Sequence, residues 1–182
     1  MKSKITAFLK KAFHSYVWLA GLLIVIDQIT KYFALTNKWN ITVIPNFFSL
    51  NYVRNTGAAW SILSGNMTLL AVISFIAGAA IIFYRIYKRK EFNTYLKIMF
   101  ALLLAGTWGN FIDRAFYKLL TGEAGVVDFF EFYLGPWLGY FPTFNVADAA
   151  ITVSLFGFIA FLIYDEIRMK KLAKEETNGD ED

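Results

Sequence analysis

Four apolar stretches constrain this chain more than any other feature of it. Residues 15–35, 67–84, 96–111 with its flank, and 146–164 are each about long enough to cross a hydrocarbon core, which takes roughly 20 residues of helix. A single soluble domain of 182 residues seldom needs a composition that is 57% hydrophobic and 19% aromatic. Only the second stretch is free of charge. The first carries Asp27 and Lys31, the third begins near Lys97, and the fourth begins at Asp148.

The distribution of positive charge orients these spans. Lys2, Lys4, Lys10 and Lys11 precede the first; Arg85, Lys88, Arg89, Lys90 and Lys97 lie between the second and third; Arg168, Lys170, Lys171 and Lys174 follow the fourth. Positive residues collect on the cytoplasmic side, so both termini are expected in the cytoplasm. That arrangement accounts for the net charge of +4 and leaves no basic face for nucleic acid. The first span has the basic front of a signal peptide, but its long apolar run, its two charges and the lack of a small-residue cleavage site argue for a retained helix. The expected plan is one integral-membrane domain over residues 1–182. Residues 1–14 form a basic cytoplasmic start, and residues 165–182 form a charged cytoplasmic tail, disordered over "KEETNGDED".

Two outer segments follow, near residues 36–66 and 115–145. In the first, Ile41 and Val43, then Phe48, Leu50 and Tyr52, alternate with polar or smaller residues around a turn at Pro45-Asn46. This predicts two short strands against the membrane surface. The second segment, "FFEFYLGPWLGYFPTF", is dense in aromatic residues, which favour the water–lipid interface. The predicted fold is therefore an α-helical polytopic membrane protein with four transmembrane helices, a small outer β-structure and an aromatic outer loop.

Polar residues gather at one level of this plan. Asn110 and Asp113 share an N-x-x-D spacing with Asn145 and Asp148, which puts each pair on one helix face. The first pair ends the third span and the second begins the fourth, so both lie at the outer face. Asp27 stands about 16 Å along its helix, counted from Tyr16, and so reaches the outer half. Asn55 and Asp128 lie in the outer segments. Each has a plain structural account. Asn145 suits a helix cap, with Asp148 favoured by the helix dipole. Asp113 at a helix C-terminus could pair with Arg114 or Lys118. Asp27 could pair with Lys31, the lysine snorkelling outward. Gly106 and Gly109 suit close helix packing. Asp128, inside "VVDFF", has no cation near it in sequence.

The chain has no cysteine and a single histidine, His14, which excludes thiolate chemistry and argues against a Ser-His-Asp triad or a histidine zinc site. Two carboxylates near a low-dielectric surface share one proton, so one can activate water while the other donates a proton. That is aspartic peptidase chemistry, and it needs neither metal nor cofactor. Five blocks in order then resemble the bacterial lipoprotein signal peptidases, or signal peptidase II, over nearly the whole chain: "DQITK" from Asp27, "RNTGAAW" from Arg54, "AGTWGNFIDR" from Ala105, "VVDFF" from Val126 and "FNVADAA" from Phe144.

The resemblance implies that Asp128 and Asp148 are the catalytic pair. It implies that Asp27, Lys31, Asn55, Gly57, Asn110, Asp113, Arg114 and Asn145 support the site or hold substrate. It implies cleavage of prolipoproteins on the amino side of a diacylglyceryl-modified cysteine, inhibition by globomycin, residence in the bacterial cytoplasmic membrane, and a site near the extracytoplasmic face. The chain departs from the family pattern at Trp108, at Ala149, and in a long "FYKLLTGEAG" stretch. Three other readings make distinct predictions. A proton-coupled transporter needs ionisable groups through the full membrane depth. A noncatalytic assembly subunit tolerates neutral replacement of both acids. A serine–lysine peptidase needs Ser61 or Ser64 beside Lys31 or Lys118.

Overall fold

The computed structural model describes residues 14–57 and 63–179. The basic residues before His14, residues 58–60 of the "RNTGAAW" block, Ser61, and the last three residues of the tail lie outside the described residues.

The element order is α1 (Val17–Asn37), β1 (Asn40–Ile44), β2 (Phe48–Asn55), α2 (Met67–Tyr87), α3 (Thr94–Thr121), β3 (Val126–Phe132) and α4 (Val146–Gly179). All four helices are long and apolar enough to span a membrane, and the chain is a multi-pass membrane protein. Only 17% to 33% of each spanning window is buried inside the protein, so most of the helical surface requires an apolar solvent. Polar side chains within the spans close on their own backbone: Thr30 Oγ1 donates to the Ile26 carbonyl at 2.9 Å and Thr107 Oγ1 to the Leu103 carbonyl at 2.8 Å.

Helix α3 is central and packs against the other three. It starts at Asn93, whose side chain accepts from Leu96 N at 2.9 Å, and stops at Gly122, which adopts φ +79°. This helix is longer than the sequence predicts. The "FYKLL" stretch has no breaker before Gly122, so it continues the helix and places Asp113 well inside it. The expected helix-end position of Asp113 is corrected accordingly. At two points α3 has no room for a Cβ. One at Gly106 would collide with the Ala147 carbonyl oxygen and Ile151, and one at Gly109 would meet Asp27 Oδ2 at 2.7 Å and Ala147 Cβ at 3.0 Å. These glycines let α1 and α4 close on α3, as expected for small residues in membrane packing.

Helix α4 also overruns its expected limit. It carries helical structure through Tyr164 and Asp165 to Gly179, aided by the Lys170–Glu166 pair at 2.6 Å. Residues 174–179, expected to be disordered, are helical.

The two predicted strands form, and a third joins them in the antiparallel order β1-β2-β3. Asp128 therefore sits on a strand rather than in a loop. The aromatic segment runs alongside β3, bridging Phe144 to Phe130 and Tyr140 to Tyr133. One sheet face packs onto the ends of α1 and α3: Val127 and Phe129 are buried against Ala34 and Tyr117, and Trp39 meets Phe129 edge-on at 5.4 Å. Burying a ring such as Phe129 contributes about 1.5–3 kcal/mol. The sheet is thus fixed to one end of the bundle.

Candidate active site

The buried charged residues among those described are Asp27, Lys31, Asp113 and Asp128, and all lie toward the end of the bundle that carries the sheet. They divide into a cation-centred cluster and a second site that has two acids.

The first cluster is built on Lys31. Its ammonium has three N–H donors, and they meet Asp27 Oδ2 at 2.8 Å, Asp113 Oδ2 at 3.0 Å and Asn110 Oδ1 at 3.1 Å. The expected Asp27–Lys31 pair exists, but Lys31 is only 3% exposed and does not snorkel, because two carboxylates and an amide compensate its charge inside the protein. Asp113 likewise pairs with Lys31 rather than with Arg114 or Lys118. Gln28, which sequence reasoning passed over although it stands in the "DQITK" block, donates to Asp27 Oδ2 at 3.2 Å, Asp113 Oδ1 at 3.1 Å and the Gly109 carbonyl at 3.2 Å.

This cluster grips the backbone on both sides of the second site. Asp27 Oδ1 accepts from Ala147 N at 2.9 Å, and Asp113 Oδ2 accepts from Val127 N at 3.3 Å. Those are the residues immediately before Asp148 and Asp128. The first of these bonds also satisfies a backbone donor in the opening turn of α4, which has no partner within its own helix.

The second site joins Asp128 and Asp148 through asparagines. Asn145, fully buried, donates from Nδ2 to Asp128 Oδ1 at 2.7 Å, and its backbone N–H donates to Asp148 Oδ2 at 3.3 Å. Its Oδ1 accepts from Asp148 N at 2.9 Å. Asn145 and Asp148 are therefore a reciprocal helix cap as well as part of the site. Asn110 donates to Asp148 Oδ1 at 2.7 Å, and Asn55 donates to Asp128 Oδ2 at 3.0 Å. Gly57 sets the orientation of Asn55: its N–H donates to Asn55 Oδ1 at 2.9 Å, which turns the amide nitrogen toward Asp128. Burial, and then the charge of Asp148, push the Asp128 carboxyl up to about 7, against the hydrogen bonds from Asn55 and Asn145.

Arg114 completes the wall. Its Nη1 donates to Ser74 Oγ at 2.8 Å, and Ser74 Oγ donates to the Leu70 carbonyl at 2.8 Å. Its buried Nε makes no hydrogen bond among the described residues. Ser74 is a contributor that the sequence signalled only as a lone hydroxyl in the charge-free second span. Trp108 packs away from the acids, against Gly78, Phe75 and Phe111. The lengthened segment before β3 brings Glu123 to Arg54 at 2.7 Å on the exposed surface.

Among the described residues, which do not include Ser61, the serine–lysine arrangement is not assembled. Lys31 has all three donors engaged, Lys118 is exposed, and Ser64 hydroxyl is hydrogen-bonded to Thr56 at 2.9 Å. Nor do the described spans carry a continuous line of buried charges. Among the described residues no three acid or histidine side chains are arranged to hold a metal ion.

A membrane-embedded helical bundle with two amide-linked carboxylates at one end, Asp128 buried and Asp148 half-buried, has the make-up of an intramembrane aspartic peptidase. Residues 19–164 match the family model described as signal peptidase (SPase) II. The chain is 38% identical over 159 residues to the lipoprotein signal peptidases of Staphylococcus aureus strains JH9 and Newman, covering 85% of this chain and 91% of each relative. In structure it is similar to a bacterial membrane enzyme solved in meso at 2.3 Å, with TM-score 0.70 and 37% identity over 82% of this chain and 88% of that one. A second such enzyme, solved at 1.9 Å, gives TM-score 0.65 at 37% identity, over 82% of this chain and 92% of its own. The chain belongs to the signal peptidase II family, whose members are aspartic-type peptidases.

Proposed function

We propose that this chain removes signal peptides from prolipoproteins, cutting on the amino side of a diacylglyceryl-modified cysteine, with Asp128 and Asp148 as its catalytic pair. The observation that carries the reading is the double contact of buried Asn145, which hydrogen-bonds both carboxyls and so ties the α4 cap to β3. Water held between the acids attacks the scissile carbonyl. The ionised acid takes a proton from that water, and the protonated acid donates one to the carbonyl oxygen and later to the leaving amine. The raised Asp128 carboxyl suits it to the acid role near neutral pH.

The supporting residues divide the work. Asp27, Lys31 and Asp113 hold the backbone beside each acid, Asn110 and Asn145 orient Asp148, Asn55 and Gly57 orient Asp128, and Arg114 presents positive charge to the substrate. The positive residues between α2 and α3 and after α4 put those ends in the bacterial cytoplasm, so the site opens near the extracytoplasmic face. There a substrate can enter sideways with its acyl chains still in the bilayer.

The test is incubation of the purified protein with a diacylglyceryl-modified prolipoprotein and its unmodified counterpart, each with and without globomycin. Cleavage of the modified form alone, blocked by globomycin, is expected. If neither form is cut, or the unmodified form is cut equally well, the substrate assignment fails.

A further inference from the structure

Helix α3 packs on α2 along one side and on α4 along another, but α2 and α4 hardly meet. The side toward α4 is marked by Gly106 against Ile151 and by Met99 against Gly157. The side toward α2 is marked by Arg114 on Ser74 and by Phe100 on Tyr84. At about 100° of turn per residue, Asn110, Leu103 and Thr107 fall between those two sides. A groove therefore runs down α3 with α2 and α4 as its walls. Its upper end opens on Asp148, Asn110 and Arg114.

Below that end the walls are apolar. Residues 67–84, 98–112 and 149–164 contain no charged side chain. Two of their hydroxyls turn back on the backbone, Thr107 on the Leu103 carbonyl and Ser154 on the Ile151 carbonyl. Aromatic rings then close the groove. Phe100 meets Tyr84 of α2 at 5.7 Å and Phe158 of α4 at 4.8 Å, and Phe92 stacks on Phe100 at 4.6 Å. One ring thus bridges two walls whose backbones stand apart. The interval to this closure is ten residues on all three helices: Ser74 to Tyr84, Asn110 back to Phe100, and Asp148 on to Phe158. Such an interval spans about 15 Å of helix.

We propose that Tyr84, Phe100 and Phe158 are the floor of the substrate groove and select substrates by the length of the signal peptide's apolar segment. The proposal rests on the peptidase reading. Signal peptides carry an apolar run of about 7–15 residues behind a basic start. A helical run of about ten residues fills the 15 Å or so between acids and rings. A longer run meets the rings before its cut site reaches the acids. The occupant is the signal segment because it continues directly from the scissile bond. The acyl chains hang from the cysteine, on the other side of the bond that is cut.

The test uses diacylglyceryl-modified prolipoproteins with short, middle and long apolar runs inside the range of about 7–15 residues. For the wild type, kcat/KM should fall several-fold from the middle to the long run. Phe100→Ala should remove most of that fall. Phe158→Leu, a smaller change, should act in the same direction and serves if Phe100→Ala does not fold. Trp108→Phe, on the far flank of α3, should keep the wild-type profile. A flat wild-type profile, or one unchanged by both floor variants, overturns the proposal.

A second readout needs no cleavage. The chain has no cysteine, so Leu103→Cys puts a single thiol midway down the groove. Isolated signal segments would carry one thiol about seven residues before the carboxyl end, the interval from Asn110 to Leu103. Under copper–phenanthroline oxidation they should crosslink to Leu103→Cys several-fold more than to Ile76→Cys, on the exposed side of α2. The yield should drop for the long run and recover when Phe100→Ala is added. Equal yields at both thiols, or no effect of length, overturn the floor. Length-dependent crosslinking without cleavage of any substrate would support the floor and count against the peptidase reading, so the two failures are distinguishable.

Discussion

The Lys31 cluster and the Asp128–Asp148 pair lie side by side, share Asn110, and solve the problem of buried acid in opposite ways. Around Lys31 every ammonium donor has an oxygen within 3.1 Å, and two carboxylates share one cation. Around Asp128 and Asp148 the hydrogen-bond partners are amides, which orient the carboxyls without neutralising them. A compensated cluster holds structure, because removing any member strands a charge. An amide-lined pair keeps proton affinity available near neutral pH, as the raised Asp128 carboxyl shows. The fold couples them through Ala147 and Val127, so the rigid cluster sets the geometry of the labile pair.

The largest expected effect falls on the pair. Asp128→Asn or Asp148→Asn should lower cleavage of lipid-modified substrate by at least about 100-fold, the scale of general acid–base catalysis, while the purified variant remains folded. Full activity in either would remove the functional side of the contrast. Asp27→Asn should lose less activity; a loss as deep as that of the pair would make Asp27 a member of it.

Lys31→Met tests the other side. It strands Asp27 and Asp113 and should cost about 3–5 kcal/mol, read as a lower unfolding midpoint in detergent. An unchanged midpoint would show that charge compensation is not what holds α4 and β3 together.

The pair should also leave a pH signature in stability. Asp128 keeps its proton to about pH 7 when folded, against 3.8 for an ordinary aspartate. Between those values the folded state binds a proton that the unfolded chain releases, so this contribution to stability falls as pH rises from about 4 to about 7 and is flat above. Midpoints measured across pH 5 to 8 should decline for wild type and decline less for Asp128→Asn; identical slopes would contradict the proton assignment. The smallest effect is expected at Ser74→Ala, which frees Arg114 Nη1. A hydrogen bond to a charged group is worth about 1.5–3 kcal/mol, and the loss should appear in KM more than in kcat if Arg114 meets substrate.

Much of this was legible in the residues. Four apolar runs dictated four spans because backbone in lipid must satisfy itself within a helix. Alternation around Pro45-Asn46 dictated a hairpin. The N-x-x-D spacing at Asn145 and Asp148 dictated both a cap and a shared helix face. Where local signals ended, errors followed. The helices α3 and α4 ran past their apolar limits because polar helix formers continued them, and β3 was hidden inside an aromatic run whose strand character depends on pairing with β2. The partner of Lys31 across the bundle was not readable either, since Asp113 lies far from it in the chain. Sequence alone thus determined which acids stand at one level of the membrane. Only the tertiary structure decided which are neutralised and which are left open, because that depends on where a single buried ammonium points its three donors.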